Sequence, residues 1–384
     1  MIFIHQPILE EKDNKCYINT FIDVDSESKK LWFSVDKKYG KYLCYERSDA
    51  FVIGLLPFAM RNGHDIKCET PLTESLYYQL ETYFIPALAY NSKSLYHTKL
   101  DSPVGDSSEL KNEHAVGTGI SGGIDSLSTI ITHLDTKFPA HNITHLMFNN
   151  VGSHGGGEKG KELYHIRLNR IREYCQKYGF RLIETDSNFH EEFPQNHLLT
   201  HTYANMFAVY MLQKLFGIYY YSSDGYKFSN VRLGNNEIYD CAKYEMFSLY
   251  MLSTEHLKLY SSCSTLSRLE KTEIVSKYSP SYEYLDVCGL HPYSCMKCSK
   301  CIRTMFALHI LGELKNYKKI FDVDYFYDHY KYYLSLFYAY YKAHKSFFDE
   351  LYPYIKNEIT VLVKLKAIWI YRKFILDKIF KNGI

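Results

Sequence analysis

Four cysteines crowd into residues 288–301 with the spacing Cys288-x6-Cys295-x2-Cys298-x2-Cys301. Thiolates this close together are soft ligands that suit tetrahedral Zn²⁺, and a four-cysteine set makes a closed, structural site. An iron–sulfur cluster and buried free thiols are the alternatives that spacing leaves open. Met296, Lys297, Ser299 and Lys300 lie between the ligands, and the two lysines would offset the negative charge of a tetrathiolate. Cys16, Cys44, Cys68, Cys175, Cys241 and Cys263 are scattered and read as structural. The other chemical cluster is Ser121-Gly122-Gly123-Ile124-Asp125-Ser126. Its adjacent glycines let backbone N–H groups approach phosphate oxygens closely, and the Ser121 and Ser126 hydroxyls can donate as well. The helix expected to begin here turns its positive end toward the anion. Asp125 cannot attract phosphate, so its task is to hold Mg²⁺ or to brace the loop.

Two further glycine loops compete for a nucleotide and fail on chemistry. Gly117-Thr-Gly-Ile-Ser-Gly122 has the dinucleotide spacing, but the next strand ends in Asn149 and Asn150 instead of the acidic residue a ribose needs; Asp135 falls before that strand. Gly155 to Lys161 nearly makes a P-loop, but Glu162 stands where a hydroxyl must reach magnesium, and its carboxylate would repel phosphate. The segment Gly152–Gly160 is therefore read as a glycine-rich loop at the ligand edge of the sheet, suited to closing over a substrate.

The elements that position these residues follow from length and pattern. A chain of 384 residues allows two or three domains. Residues 1–105 read as an N-terminal α+β domain: CYINTFIDV and LWFSVD alternate like strands, and SDAFVIGLLPFAMRNG and TESLYYQLETYFIPALAYN read as helices. Polar residues 99–113 make the best linker. Residues 106–315 alternate strand and helix, which predicts an α/β domain, a parallel sheet with helices on both faces, with ligands beyond the carboxyl ends of its strands. Residues 316–384 read as a helical extension rich in aromatics. In the last helix Lys364, Lys366, Arg372, Lys373, Lys378 and Lys381 fall on both sides, so a packed helix without a clean apolar face is expected.

The hexapeptide SGGIDS resembles the signature of the PP-loop ATP pyrophosphatase superfamily. Together with SRLEKTEIV and VCGLHPYSCMKCSKCIRTM it looks like 7-cyano-7-deazaguanine synthase and its longer relatives, over about residues 114–315. The resemblance implies an adenine-nucleotide α-hydrolase-like fold. It implies ATP phosphates on Ser121, Gly122, Gly123, Asp125 and Ser126, with Arg268 as an anion contact and Mg²⁺ as a cofactor. Asp125 and Lys271 would be the catalytic residues, and Arg303 a further anion contact. Cys288, Cys295, Cys298 and Cys301 would hold Zn²⁺. The implied reaction converts ATP to AMP and pyrophosphate, activating a carboxylate or carbonyl for C–N bond formation. The spacing from Cys288 to Cys295 is shorter than in the deazaguanine enzyme, and the flanking segments are extra.

A zinc-containing PP-loop enzyme that thiolates tRNA or a nucleobase is the alternative reading. The near-neutral balance, Lys+Arg 45 against Asp+Glu 43, gives no global field for nucleic acid and favours a small-molecule or modified-nucleobase substrate. The terminal segments leave room for a partner protein. The first residues carry no basic and apolar leader, and no stretch is long and apolar enough to span a membrane, so a cytoplasmic protein is expected. His190, His197 and His201 have no partner cysteines at ligand spacing, so no second metal is assigned. His154 reads as a solvated loop residue, and Asp240 and Glu245 carry no assignment.

Overall fold

The computed structural model describes residues 1–224, 240–289 and 291–381. It is an α/β structure built on a mixed, mostly parallel sheet flanked by helices. The chain divides into two compact units, one of Met1–Ile120 with Thr132–Thr265 and one of Ser121–Ile131 with Leu266–Ile384.

The first unit holds the sheet. Its strands are β1 (Ile2–Ile4), β2 (Ile8–Lys12), β3 (Lys15–Val24), β4 (Glu27–Asp36), β5 (Ile66–Cys68), β7 (Leu100–Asp101), β9 (Ala115–Gly119), β10 (His145–Asn150), β11 (Arg181–Ser187), β12 (Phe216–Ser222) and β13 (Lys258–Ser262), while β6 (Leu72–Thr73) and β8 (Val104–Gly105) pair separately. The order is β13-β12-β9-β10-β11-β4-β3-β1-β5-β7, with β2 on β3. From β13 to β11 every pair is parallel. At β11 the sense changes: β4 pairs antiparallel with it, Val35 opposite Thr185. The sheet is thus parallel from the β13 edge to β11, turns antiparallel through β4, β3 and β1, and is parallel again from β1 through β5 to β7, because the β3–β4 hairpin of residues 1–105 continues it. That hairpin is held by alternation: Cys16, Ile18, Thr20 and Ile22 are buried, and Asp25 takes a positive φ at the turn.

Helix α1 (Asp49–Asn62) stops where Gly63 adopts the left-handed conformation, φ 67°. It packs on α4 (His197–Met211) with Phe51, Phe189 and Phe207 in the core between them. The 22-residue α3 (Gly157–Tyr178) begins inside the second glycine loop. Helix α2 (Ile124–His133) follows β9, and α5 (Glu245–Leu252) precedes β13.

The second unit is helical. Helix α6 (Arg268–Ser276) starts at a capping box made by Ser267 and Glu270. It packs on α7 (Ser299–Ile310), which also meets α8 (Tyr330–Lys342) and α9 (Phe348–Ile355). Phe306, Phe326, Phe337 and Phe348 form an aromatic chain through this core. The run YYLSLFYAYYKAHKSFFDEL is two helices, α8 and α9, because the chain reverses at His344 and Phe347, both at positive φ.

The terminal helix α10 (Val361–Lys381) packs through buried Val363, Ala367 and Ile370. On its other face Val361, Leu362, Leu365, Ile368 and Trp369 are exposed. At 100° per residue Lys364 and Lys366 fall on the two flanks between these faces, and exposed Arg372 falls on the outer face itself, between Val361 and Leu365. The side chains of Lys373, Lys378 and Lys381 lie outside the described residues. No helix among the described residues is long and apolar enough to cross a membrane.

Candidate functional site

The SGGIDS loop leaves the carboxyl end of β9 and runs into α2. Gly122 sits at φ 74°, and a Cβ there would lie 3.1 Å from the Tyr284 carbonyl oxygen. Only glycine meets both demands without strain. The Gly122 carbonyl accepts the Asp286 N–H at 2.8 Å, which ties the loop to the segment leading into Cys288. Ser126 is buried: its hydroxyl donates to the Gly123 carbonyl at 3.1 Å and accepts the Ser121 N–H at 3.3 Å. Ser121 is exposed, with Oγ 3.2 Å from Ser126 Oγ.

Asp125 gathers the cations. Arg268 Nη1 donates to its Oδ2 at 2.7 Å and Lys271 Nζ to its Oδ1 at 3.3 Å. Both cations project from the first turn of α6, three residues apart and so on one face. Lys271 is 0% exposed, and a buried ammonium needs a counter-charge. Burial alone would raise the Asp125 carboxyl, but Arg268, then Lys271, with Arg303 beyond, hold it below the ordinary carboxylate range. Both oxygens face cations, an arrangement that braces the loop and disfavours a metal ion on this carboxylate. Arg268 and Arg303 lie over the Phe347 ring, at 5.1 Å and 4.9 Å from its centroid. Arg303 also donates to the Ser346 carbonyl at 3.1 Å.

The four cysteines converge as the spacing predicts, one sulfur from each within 4.8 Å of the others. Cys298 and Cys301 sulfurs are 3.5 Å apart, and Cys295 and Cys301 sulfurs 3.9 Å. The edge of a tetrahedron with metal–sulfur bonds of about 2.3 Å is about 3.8 Å, so the set fits a metal ion such as Zn²⁺. The turns between them aim backbone donors at sulfur: the Cys298 N–H reaches Cys295 at 3.3 Å and the Cys301 N–H reaches Cys298 at 3.5 Å. Met296 makes the first turn at φ 53°. Contact with the Cys301 thiol, aided by the Cys301 N–H and opposed by burial, draws the Cys298 thiol down to about 5.

The second unit therefore brings together residues from three separated stretches of sequence: the loop, the Arg268–Lys271 turn, and the cysteine segment with Arg303. Sequence reasoning missed Asp286 and Phe347, which act through a main-chain bond and ring contacts that leave no motif. In the first unit His154 is half-buried between Phe148 and Tyr164, ring centroids 5.3 Å and 5.4 Å away, instead of solvated. Burial there pushes its imidazole down to about 3. Chemistry-bearing residues also converge at His201, Asp240 and Cys241. No sequence signal joins these three, since about forty residues separate the histidine from the pair.

Comparison of the chain with protein-family models, curated proteins and solved structures finds no match.

Proposed function

We propose that the chain is an AMP-forming, ATP-dependent adenylating enzyme of the PP-loop pyrophosphatase type, similar to 7-cyano-7-deazaguanine synthase. The observation that carries this reading is the Asp125–Arg268–Lys271 cluster at the start of a helix that follows a parallel strand. Backbone N–H groups of the loop and the positive end of α2 would cradle the phosphates. Ser126 and Gly122 shape that cradle, Gly123 leaves room for phosphate, and Ser121 offers an exposed hydroxyl.

In the proposed reaction a substrate carboxylate oxygen attacks the α-phosphorus, the bond to the β-phosphate breaks, and pyrophosphate leaves. An amine or ammonia then attacks the activated carbon, and AMP departs as the C–N bond forms. Arg268 and Lys271 neutralise charge on the leaving pyrophosphate, while Asp125 fixes where those cations sit. Mg²⁺ would share that neutralisation, and no protein ligand is assigned to it. Zn²⁺ on Cys288, Cys295, Cys298 and Cys301 would be structural, since four thiolates leave no open position. None of the ten cysteines is joined in a disulfide, which suits a reducing compartment such as the cytoplasm.

Titration calorimetry with ATP–Mg²⁺ and with pyrophosphate tests the binding step. Lys271→Met should weaken both ligands at least about tenfold, whereas Lys243→Met should not. Equal affinity in the wild type and Lys271→Met would overturn the assignment.

A further inference from the structure

We propose that His201, Asp240 and Cys241 form a second metal site that takes a divalent transition ion such as Zn²⁺ and leaves one coordination position open. It is independent of the four-cysteine cluster and of the proposed ATP chemistry.

The site is built from the sheet outward. His201 lies in the first turns of α4, Tyr221 near the end of β12, and Ser261 near the end of β13. Strands β12 and β13 run parallel, so these positions mark the carboxyl edge, where sheets of this kind hold ligands. Asp240 caps a short turn through the Ala242 N–H at 2.9 Å and presents Cys241 beside it.

The geometry favours a metal over an ordinary buried ion pair. One ligand atom from each of the three residues lies within 4.8 Å of the others. His201 Nε2 and Asp240 Oδ1 are 3.4 Å apart. That is long for a charge-assisted hydrogen bond, which closes to about 2.8 Å. It matches the edge of a tetrahedron with bonds of about 2.0–2.1 Å, which is about 3.4 Å. The other ring nitrogen of His201 is already engaged: Nδ1 is 2.6 Å from the Tyr221 hydroxyl, and the two rings are nearly parallel at 7°. A metal-ligating histidine is oriented this way by a partner on its second nitrogen. Asn205 further fixes the helix turn by donating to the His201 carbonyl at 2.7 Å, and Thr202 donates to Cys241 Sγ at 3.4 Å.

The donor set decides the class of ion. One imidazole, one carboxylate and one thiolate exclude the hard cations Mg²⁺ and Ca²⁺ and suit Zn²⁺ or Co²⁺. Three protein ligands are the pattern of a zinc site that binds water or substrate in the fourth position. Cys241 is 0% exposed, whereas the His201 and Asp240 side chains are 11% and 15% exposed, so the set is reached past these two residues. Glu245, buried and bonded by the Ser261 hydroxyl at 2.7 Å, adds a second carboxylate beside the set.

Elemental analysis and zinc titration of the full chain test the site. The wild type saturated with Zn²⁺ should hold about two ions per chain, and Cys298→Ser, with the four-cysteine cluster broken, about one. Adding Asp240→Asn or Cys241→Ser to Cys298→Ser should lower the affinity for that remaining ion at least about tenfold, with circular dichroism unchanged. Asp240→Asn is the milder change, because its side chain is partly exposed and Asn keeps the bond from Ala242. A wild type that saturates at one ion per chain would overturn the site. So would an ion in Cys298→Ser whose affinity neither substitution alters.

Discussion

Arg268 and Asp125 lie 143 residues apart in the chain and 2.7 Å apart in space. Their contact joins the start of α6 to the start of α2 and sets two cations beside the Ser121–Ser126 loop. Removing the carboxylate leaves Arg268 and Lys271 with like charge and a lost partner, so the loop and α6 should loosen together.

The sign of the acid response follows from this pair. Asp125 titrates below its ordinary value of 3.8 in the folded chain. A carboxylate with a depressed folded pKa contributes stability that is complete above the unfolded value and lost as pH falls through the folded one. Unfolding followed down a pH series from neutral to below 3.8 should therefore show a steeper acid loss in the wild type than in Asp125→Asn. Parallel pH curves would show that the pair contributes nothing to stability.

Gly122 and Gly123 should respond differently to the same methyl group. At Gly122 an alanine must adopt φ 74° and press on the Tyr284 carbonyl oxygen at 3.1 Å; at Gly123 the nearest atom is the Ser121 hydroxyl at 3.3 Å, the end of a movable side chain. Denaturant melts should place Gly122→Ala about 1–2 kcal/mol below wild type, with Gly123→Ala nearer to it. The reverse order would mean the loop is shaped otherwise.

The regular alternation of strand and helix, the glycine loop after β9 and the cysteine cluster were legible in the sequence, because each is a local pattern of residue types, whereas Arg268 and Lys271 were marked only by the family resemblance. The antiparallel junction of β4 with β11 was not legible. Val35 and Thr185 pair across 150 residues, and neither strand's alternation names its neighbour. Strand β13, KLYSS, is short and polar enough to pass as a loop. The convergence of His201 on Asp240 and Cys241 is equally silent, since a ligand set spread over two elements has no spacing rule to betray it.

Phe347 should prove a positioning residue. Its ring carries the guanidiniums of Arg268 and Arg303 while its own backbone sits at φ 71°. Phe347→Leu keeps bulk but loses the ring face, and chemical denaturation should register a loss of about 1 kcal/mol. Binding of pyrophosphate should weaken in the same variant, because Arg268 is then less well held. A variant with unchanged stability and binding would show the stacking to be incidental.

Zinc in the cysteine cluster should act on folding and not on nucleotide chemistry. X-ray absorption on the Cys241→Ser chain, which isolates this cluster, should show a shell of sulfur alone at about 2.3 Å. Cys298→Ser should lower the melting temperature while leaving the identity of any nucleotide product unchanged. Iron in this cluster would replace the zinc assignment with an iron–sulfur one.

The most direct test of the account is the identity of the nucleotide product. Wild-type protein given ATP, Mg²⁺, ammonium and a panel of carboxylic acids, modified nucleobases included, should release AMP and pyrophosphate in equal amounts. Lys271→Met should abolish that release while the chain stays folded. Release of ADP and phosphate by the wild type, removed by the same substitution, would contradict α–β cleavage at the Ser121–Ser126 loop.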